Sequence, residues 1–280
     1  MIFCNITGGL GNQLFQIFAT ISYAVRNKHS FGFPLVINQG ITNRPSYWDN
    51  FLDTIKLFTH PVIPLMDVLR EKSFGYTELP EYNDEKPNIL LHGYFQSYKY
   101  FEGHYTFICR LIRLDKKKLA VQLKYSNDYS NITSMHFRLG DYKGLQEFHP
   151  ILTYEYYRNS LKHIENIYNK NKNRFPRTVL IFCEKESNNE VFDIIHKLSN
   201  EFPRYKFIKQ NDDVADWEQI LLMSLCRNNI IANSTFSWWG AYFNSNPEKI
   251  VCYPEKWFGP RLSKNDTADL FPENWHKIRG

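Results

Sequence analysis

From residue 132 onward, short apolar runs alternate with segments of helical periodicity, and no other feature constrains the fold of this chain as strongly. Ile132 to Arg138, Thr178 to Cys183, Tyr205 to Lys209, Asn229 to Ala232 and Lys249 to Tyr253 read as strands. Thr153 to Tyr168, a segment starting near Ser187, Asp216 to Arg227 and Ser234 to Phe243 read as the helices between them, with Ser187 and Glu190 at capping-box spacing. Such alternation implies right-handed crossovers and a parallel sheet. Ligands of such sheets sit beyond the carboxyl ends of the strands, where helices begin, so polar residues there are the first candidates for a site.

The first half is less regular. Ile2 to Ile6 reads as a strand, Gly8 to Gly11 as a turn, and Leu14, Ile17, Phe18, Ile21 and Val25 as the apolar face of a helix. Pro34 to Ile37 and Asn88 to Leu91 read as further strands and Tyr98 to Leu114 as an amphipathic helix. Prolines interrupt every pattern between Pro45 and Pro87, and that stretch stays unassigned. The polar stretch 115–131, with its run Lys116, Lys117 and Lys118, reads as a linker between domains at 1–120 and 131–280.

Composition excludes several classes. Hydrophobic residues make up 43% of the 280, enough for a full core. The 34 basic and 29 acidic residues are scattered, which speaks against a nucleic-acid partner. Cys4, Cys109, Cys183, Cys226 and Cys252 are far apart and odd in number, a pattern of reduced, mostly buried thiols rather than of a disulfide framework or metal clip. No stretch has the length of a transmembrane segment and no export signal is visible, so cytoplasmic residence is the expectation. Oligomeric state is not encoded legibly.

Three segments carry more local chemistry than a core needs. Gly8-Gly9-Leu10-Gly11-Asn12-Gln13 opens a helix; its glycines let backbone N–H groups approach a ligand, and the same residues equally serve a tight turn with Asn12 as N-cap. It is neither a Walker loop nor a dinucleotide fingerprint. His136-Phe137-Arg138-Leu139-Gly140-Asp141-Tyr142 ends a strand, and alternation places His136 and Arg138 on one face, at the crevice. Arginine there can grip a phosphate with two parallel N–H bonds; the structural alternative is an ion pair between Arg138 and Asp141. Asn233-Ser234-Thr235-Phe236-Ser237-Trp238-Trp239-Gly240-Ala241 joins a strand to a helix, where Ser234, Thr235 and Phe236 suit a phosphate while the tryptophans suit a core. Glu184, Glu186, Asp212 and Asp213 stand after strands and could face a base or ribose, and His92 and His149 could touch an acceptor, although such residues are more often structural.

Together these segments resemble the inverting α-1,2-fucosyltransferases of glycosyltransferase family 11. The likeness rests on Gly8 to Gln16, on Gly93-Tyr94-Phe95-Gln96-Ser97 followed by Lys99-Tyr100-Phe101, on His136 to Tyr142, and on Asn233 to Ala241. Leu139 stands where the family usually has a second arginine, and Cys183-Glu184-Lys185-Glu186 replaces an aspartate-rich stretch. The resemblance implies an α/β, GT-B-type fold of two Rossmann-like domains facing across a cleft, an acceptor-side N-terminal domain and a C-terminal domain holding GDP-fucose. It implies catalysis without metal or other cofactor, in keeping with the lack of an Asp-x-Asp motif and of Cys/His ligand spacing. Arg138, Asp141 and His136 are then the expected catalytic residues, and Gly9, Gly11, Asn12, Gln13, Glu184, Asn233, Ser234, Thr235 and Phe236 the expected substrate-binding ones. The partners would be GDP-fucose and a glycan acceptor. A transferase using another GDP-sugar, or an inactive nucleotide-sugar or glycan binder, are the competing expectations.

Overall fold

The computed structural model describes residues 1–36, 45–82, 88–170 and 176–280. The chain divides into two compact units, Met1–Lys117 with Asn265–Pro272, and Lys118–Lys264 with Glu273–Gly280.

In the first unit, β1 (Ile2–Cys4) leads into α1 (Leu10–Arg26), followed by β2 (Phe31–Pro34), β3 (Thr59–His60), β4 (Asp67–Arg70), β5 (Ile89–His92) and α2 (Tyr105–Leu111). The sheet runs β3-β2-β1-β5-β4 and every pairing is parallel. Nearly every side chain of α1 from Leu10 to Ala24 is buried, the mark of an internal helix rather than an amphipathic surface one. Its polar members find partners inside: Thr20 Oγ1 donates to the Gln16 carbonyl at 2.7 Å, and Gln16 Nε2 to that of Gly93 at 3.0 Å.

Several expectations need correction here. Strand β2 begins earlier than Pro34, and Ile37 lies outside the described residues. Tyr98 to Leu114 is not one helix; two 3-10 turns precede α2, and Arg113 at φ 53° ends it in the left-handed region. Thr59–His60 and Asp67–Arg70 are strands within the unassigned stretch, too short for periodicity to reveal.

The presumed linker is largely a helix, α3 (Leu114–Tyr125). Its sequence looks polar because only one side is covered: Leu114 and Val121 are buried, and Lys118 lies buried with its ammonium donating to the Phe243 carbonyl at 2.9 Å.

The second unit continues with β6 (Ile132–His136), α4 (Tyr154–Lys170), β7 (Thr178–Phe182), α5 (Asn188–Glu201), β8 (Lys206–Lys209), α6 (Asp216–Leu225), β9 (Asn228–Ile230), α7 (Thr235–Tyr242), β10 (Val251–Pro254) and β11 (His276–Ile278). Its parallel sheet runs β11-β10-β9-β6-β7-β8. Strand β9 starts on two asparagines because buried donors and acceptors meet there: Asn229 Nδ2 donates to Ser134 Oγ at 2.7 Å and Asn244 Nδ2 to Asn229 Oδ1 at 2.8 Å. From β6 the chain adds β7 and β8 on one side, then crosses to build β9, β10 and β11 on the other. The carboxyl ends of β6 and β9 therefore flank a topological switch point, where an open parallel sheet leaves a crevice for ligands. In the first unit β1 and β5 flank the equivalent position.

Candidate active site

Strand β6 ends at His136, but Phe137 still donates its N–H to the Phe182 carbonyl at 2.8 Å, and its fully buried ring stacks on Tyr157 at 4.0 Å. That anchor sets Arg138 just beyond the carboxyl end of the central strand β6. Its Nη2 donates to Asp141 Oδ1 at 2.7 Å, its Nη1 to Glu184 Oε1, and its guanidinium lies 5.3 Å from the Tyr142 ring centre. The ion pair with Asp141 weighed as the structural alternative thus exists, and a second carboxylate from beyond β7 joins it.

Tyr142 links this group to β9. Its hydroxyl donates to the Asn233 carbonyl at 3.0 Å and its ring stacks on His149 at 4.8 Å. Asn233 Nδ2 donates to the Pro150 and Trp257 carbonyls, at 2.9 and 3.3 Å. Ser234 is the N-cap of α7, its Oγ accepting from the Phe236 N–H at 3.3 Å, and the Phe236 ring approaches that of His136 to 5.4 Å. His136, Arg138, Asp141, Glu184, Asn233, Ser234 and Phe236 thereby form one constellation, with Thr235 as the first residue of α7. Trp238 and Trp239 are fully buried, as expected of core residues.

Three buried polar atoms in this constellation have no hydrogen-bond partner: His136 Nδ1, Glu184 Oε2 and Asn233 Oδ1. Such orphans are rare because each leaves a desolvation cost uncompensated, and their occurrence together beside one switch point makes this the candidate ligand site.

The turn after Arg138 is held from α5. The Gly140 N–H donates to Ser187 Oγ at 3.3 Å, and a Cβ on Gly140 would lie 3.3 Å from Glu184 Oε1. Ser187 therefore does not close the expected capping box; Glu190 pairs instead with Lys143. Leu139, in place of a second arginine, is a buried member of the core. Asp212 accepts from Lys209 Nζ at 2.6 Å, which holds its carboxyl below the usual range, and from Asn188 Nδ2 at 2.9 Å; Glu186 is exposed. Tyr142 and Tyr157 drew no site role from sequence, and Ser187 only that of a helix cap; the aromatic character of Tyr142 inside the motif was the one signal.

Burial, with a smaller contribution from the positive charge of Arg138, pushes His136 down to about 3. The imidazole is neutral at pH 7 and a weak proton acceptor. An unfolded histidine titrates near 6.5, so below that pH the unfolded chain binds a proton that the folded chain refuses, and folding stability falls as pH drops from about 6.5 toward 3. His136→Gln is expected to flatten that acid limb of the stability curve, measured by urea unfolding between pH 7 and 4; an unchanged limb would place the acid sensitivity elsewhere.

Gly9, Gly11, Asn12 and Gln13 form their own constellation in the first unit. Gly8 turns the chain at φ 81°, and the N-cap of α1 is Gly9, without a side-chain cap, so Asn12 is not the cap. Asn12 Oδ1 accepts from Gln96 Nε2 at 3.0 Å, and Gln13 Nε2 donates to the Gly8 and Pro45 carbonyls while its Oε1 stays buried without a partner. The His92 ring lies 3.5 Å from the Asn5 side-chain amide, and the His92 carbonyl accepts from the Glu71 N–H at 2.9 Å. The mid-chain motif is tied down: the Tyr94 and Phe95 N–H groups donate to the Glu71 carboxylate, and Ser97 Oγ to the Asp269 carbonyl at 2.6 Å.

A family model for glycosyl transferase family 11 matches residues 66–279. The chain belongs to that family. An Escherichia coli alpha-1,2-colitosyltransferase is 26% identical over 306 aligned positions, covering 99% of each chain. The Escherichia coli O-antigen biosynthesis glycosyltransferase WbnK is 29% identical over 199 residues, covering 68% of this chain but only 61% of that protein. In three dimensions the apo form of POFUT1 matches with a TM-score of 0.50 at 11% identity, covering 90% of this chain and 96% of that one. The family-11 resemblance carried by the motifs is borne out, and so is the α/β, GT-B-like fold with two parallel sheets. Among the described residues, no helix of this family-11 protein is long and apolar enough to cross a membrane.

Proposed function

We propose that this family-11 transferase moves L-fucose from GDP-fucose to O2 of a terminal galactose, with inversion, giving an α-1,2 linkage. The observation that carries the reading is a guanidinium, Arg138, at the switch point of the second sheet, linked through Tyr142 to Asn233, which precedes the Ser234 cap of α7. Fucose transfer breaks the bond between the anomeric carbon and the β-phosphate oxygen, and the bonding electrons leave with the diphosphate. Arg138, with the N–H groups at Ser234 to Phe236, would receive that developing negative charge. The acceptor oxygen attacks the anomeric carbon from the opposite face and its proton passes to a base. Asp141 is the better candidate, because the neutral, buried His136 accepts a proton poorly. Within the first unit, an acceptor-binding role is assigned to Asn12 and Gln13.

No metal enters this scheme. The assay is GDP-fucose with a galactose-terminated oligosaccharide, with and without a chelator. The expected outcome is equal product in both; loss of product with chelator would replace guanidinium stabilisation by metal catalysis.

A second reading is favoured by the full-length match to a colitosyltransferase. Colitose is fucose without one hydroxyl, and a diphosphate clamp does not read that hydroxyl. A site built to hydrogen-bond it would reject the deoxy sugar strongly, whereas an apolar contact would not. Turnover with GDP-colitose and not with GDP-fucose would establish the second reading.

A further inference from the structure

Resting on the diphosphate role of Arg138, we infer that Asp141 is a displaceable counter-ion of that guanidinium, released by the incoming diphosphate, and that Glu184 is the positioning residue that keeps the guanidinium aimed when Asp141 leaves.

The argument begins with charge. One guanidinium faces two carboxylates, on Asp141 and Glu184, so the trio as it stands carries a net negative charge. Two of the nearby lysines are already committed to other carboxylates. Lys143 is paired with Glu190 and Lys209 with Asp212, while burial keeps both His136 and His149 toward the neutral form. A diphosphate adds at least two further negative charges at close range, and like charges brought together in a partly desolvated site repel. The anion can enter only if a carboxylate withdraws from Arg138.

Geometry decides which one. The side chain of Asp141 is 44% exposed and sits on a 3-10 turn, Gly140–Gly144, so a small rotation carries its carboxylate into water. Glu184 is 26% exposed, packs against Gly140, and has its Oε2 buried without a partner. Moving Glu184 would disturb the packed turn, whereas the pair that Asp141 makes with Arg138 is exposed and of the kind that contributes little. The guanidinium also presents its N–H groups in a planar fork, so Glu184 can keep Nη1 while Nη2, vacated by Asp141, turns to the phosphate. Ligand entry then does two things together: it brings charge to Arg138, and it frees Asp141 to take the proton of the acceptor hydroxyl. The base becomes available only once the donor is seated, which makes the reaction ordered, donor first.

The test is titration calorimetry of the intact chain with GDP and, separately, with inorganic pyrophosphate, together with steady-state kinetics. Asp141→Asn keeps the shape and removes the competing charge; both anions are expected to bind it about two- to fivefold more tightly, the range an exposed ion pair contributes, while kcat falls. Equal or weaker binding would overturn the displacement. Glu184→Ala is expected to lower kcat about tenfold with little change in GDP affinity, as a misaimed oxyanion donor does, and Glu184→Gln, which retains a hydrogen-bond acceptor for Nη1, to recover most of it. A Glu184 variant that loses GDP but keeps pyrophosphate would make Glu184 a nucleoside contact and sink its positioning role. If wild-type protein binds neither anion, the diphosphate role of Arg138 fails first, and that outcome is distinct from the others.

Discussion

Arg138→Ala is expected to reduce turnover by about a hundredfold or more while leaving the fold intact. The guanidinium contacts two carboxylates and one ring face at the rim of the sheet, and Phe137, rather than Arg138, fills the core beside it. Its loss removes charge at the point where the departing diphosphate gathers it, an effect typically of about 2.7 to 4 kcal/mol on the barrier. Arg138→Lys is expected to recover only part of the rate, because an ammonium cannot hold Glu184 and a phosphate oxygen in one plane. Near-normal transfer by a folded Arg138→Ala protein would remove the residue from the mechanism.

The largest effect on stability is expected at Trp238. The side chain is fully buried, stacked on Tyr242 at 4.5 Å and packed against Trp239 and Trp275 at 5.1 and 5.5 Å. Alanine there deletes the indole and leaves a cavity that three large aromatic neighbours cannot refill, a change that costs about 3 to 5 kcal/mol. The expected signature is a lowered urea midpoint with an unchanged slope. Since α7 also carries Ser234 at its cap, donor binding should weaken with the stability. A loss below about 1 kcal/mol would mean that the aromatic cluster relaxes around the gap.

Much of the second unit was legible because its strands and helices are encoded within short windows. Thr178 to Cys183 and Asp216 to Arg227 announce themselves by local periodicity, and both occur within a residue or two of the expected bounds. Residues 115–131 hid their helix for the converse reason. A helix buried along one narrow side reads as polar, and the partner that covers Lys118, the Phe243 carbonyl, is 125 positions away. Strand β11 gave no signal, being three residues long after a loop. Within the site, the segments Arg138 to Asp141 and Asn233 to Phe236 could be picked out as strand-end polar clusters, whereas the pairing of Arg138 with Glu184 could not, since 46 residues separate them. The capping-box reading of Ser187 failed likewise: the hydroxyl serves the Gly140 turn, a contact that exists only once β6 and β7 lie side by side.

The amino-acid order alone determined that this is a parallel α/β protein and that four motifs tie it to one transferase family, because periodicity and motif spacing are properties of neighbouring residues. The tertiary structure alone decided that β6 and β9 meet at the switch point, that two carboxylates share one guanidinium, and that three polar atoms are buried there unpaired. Strand order and charge pairing join positions far apart in the chain, and their energies depend on desolvation, which no local pattern records.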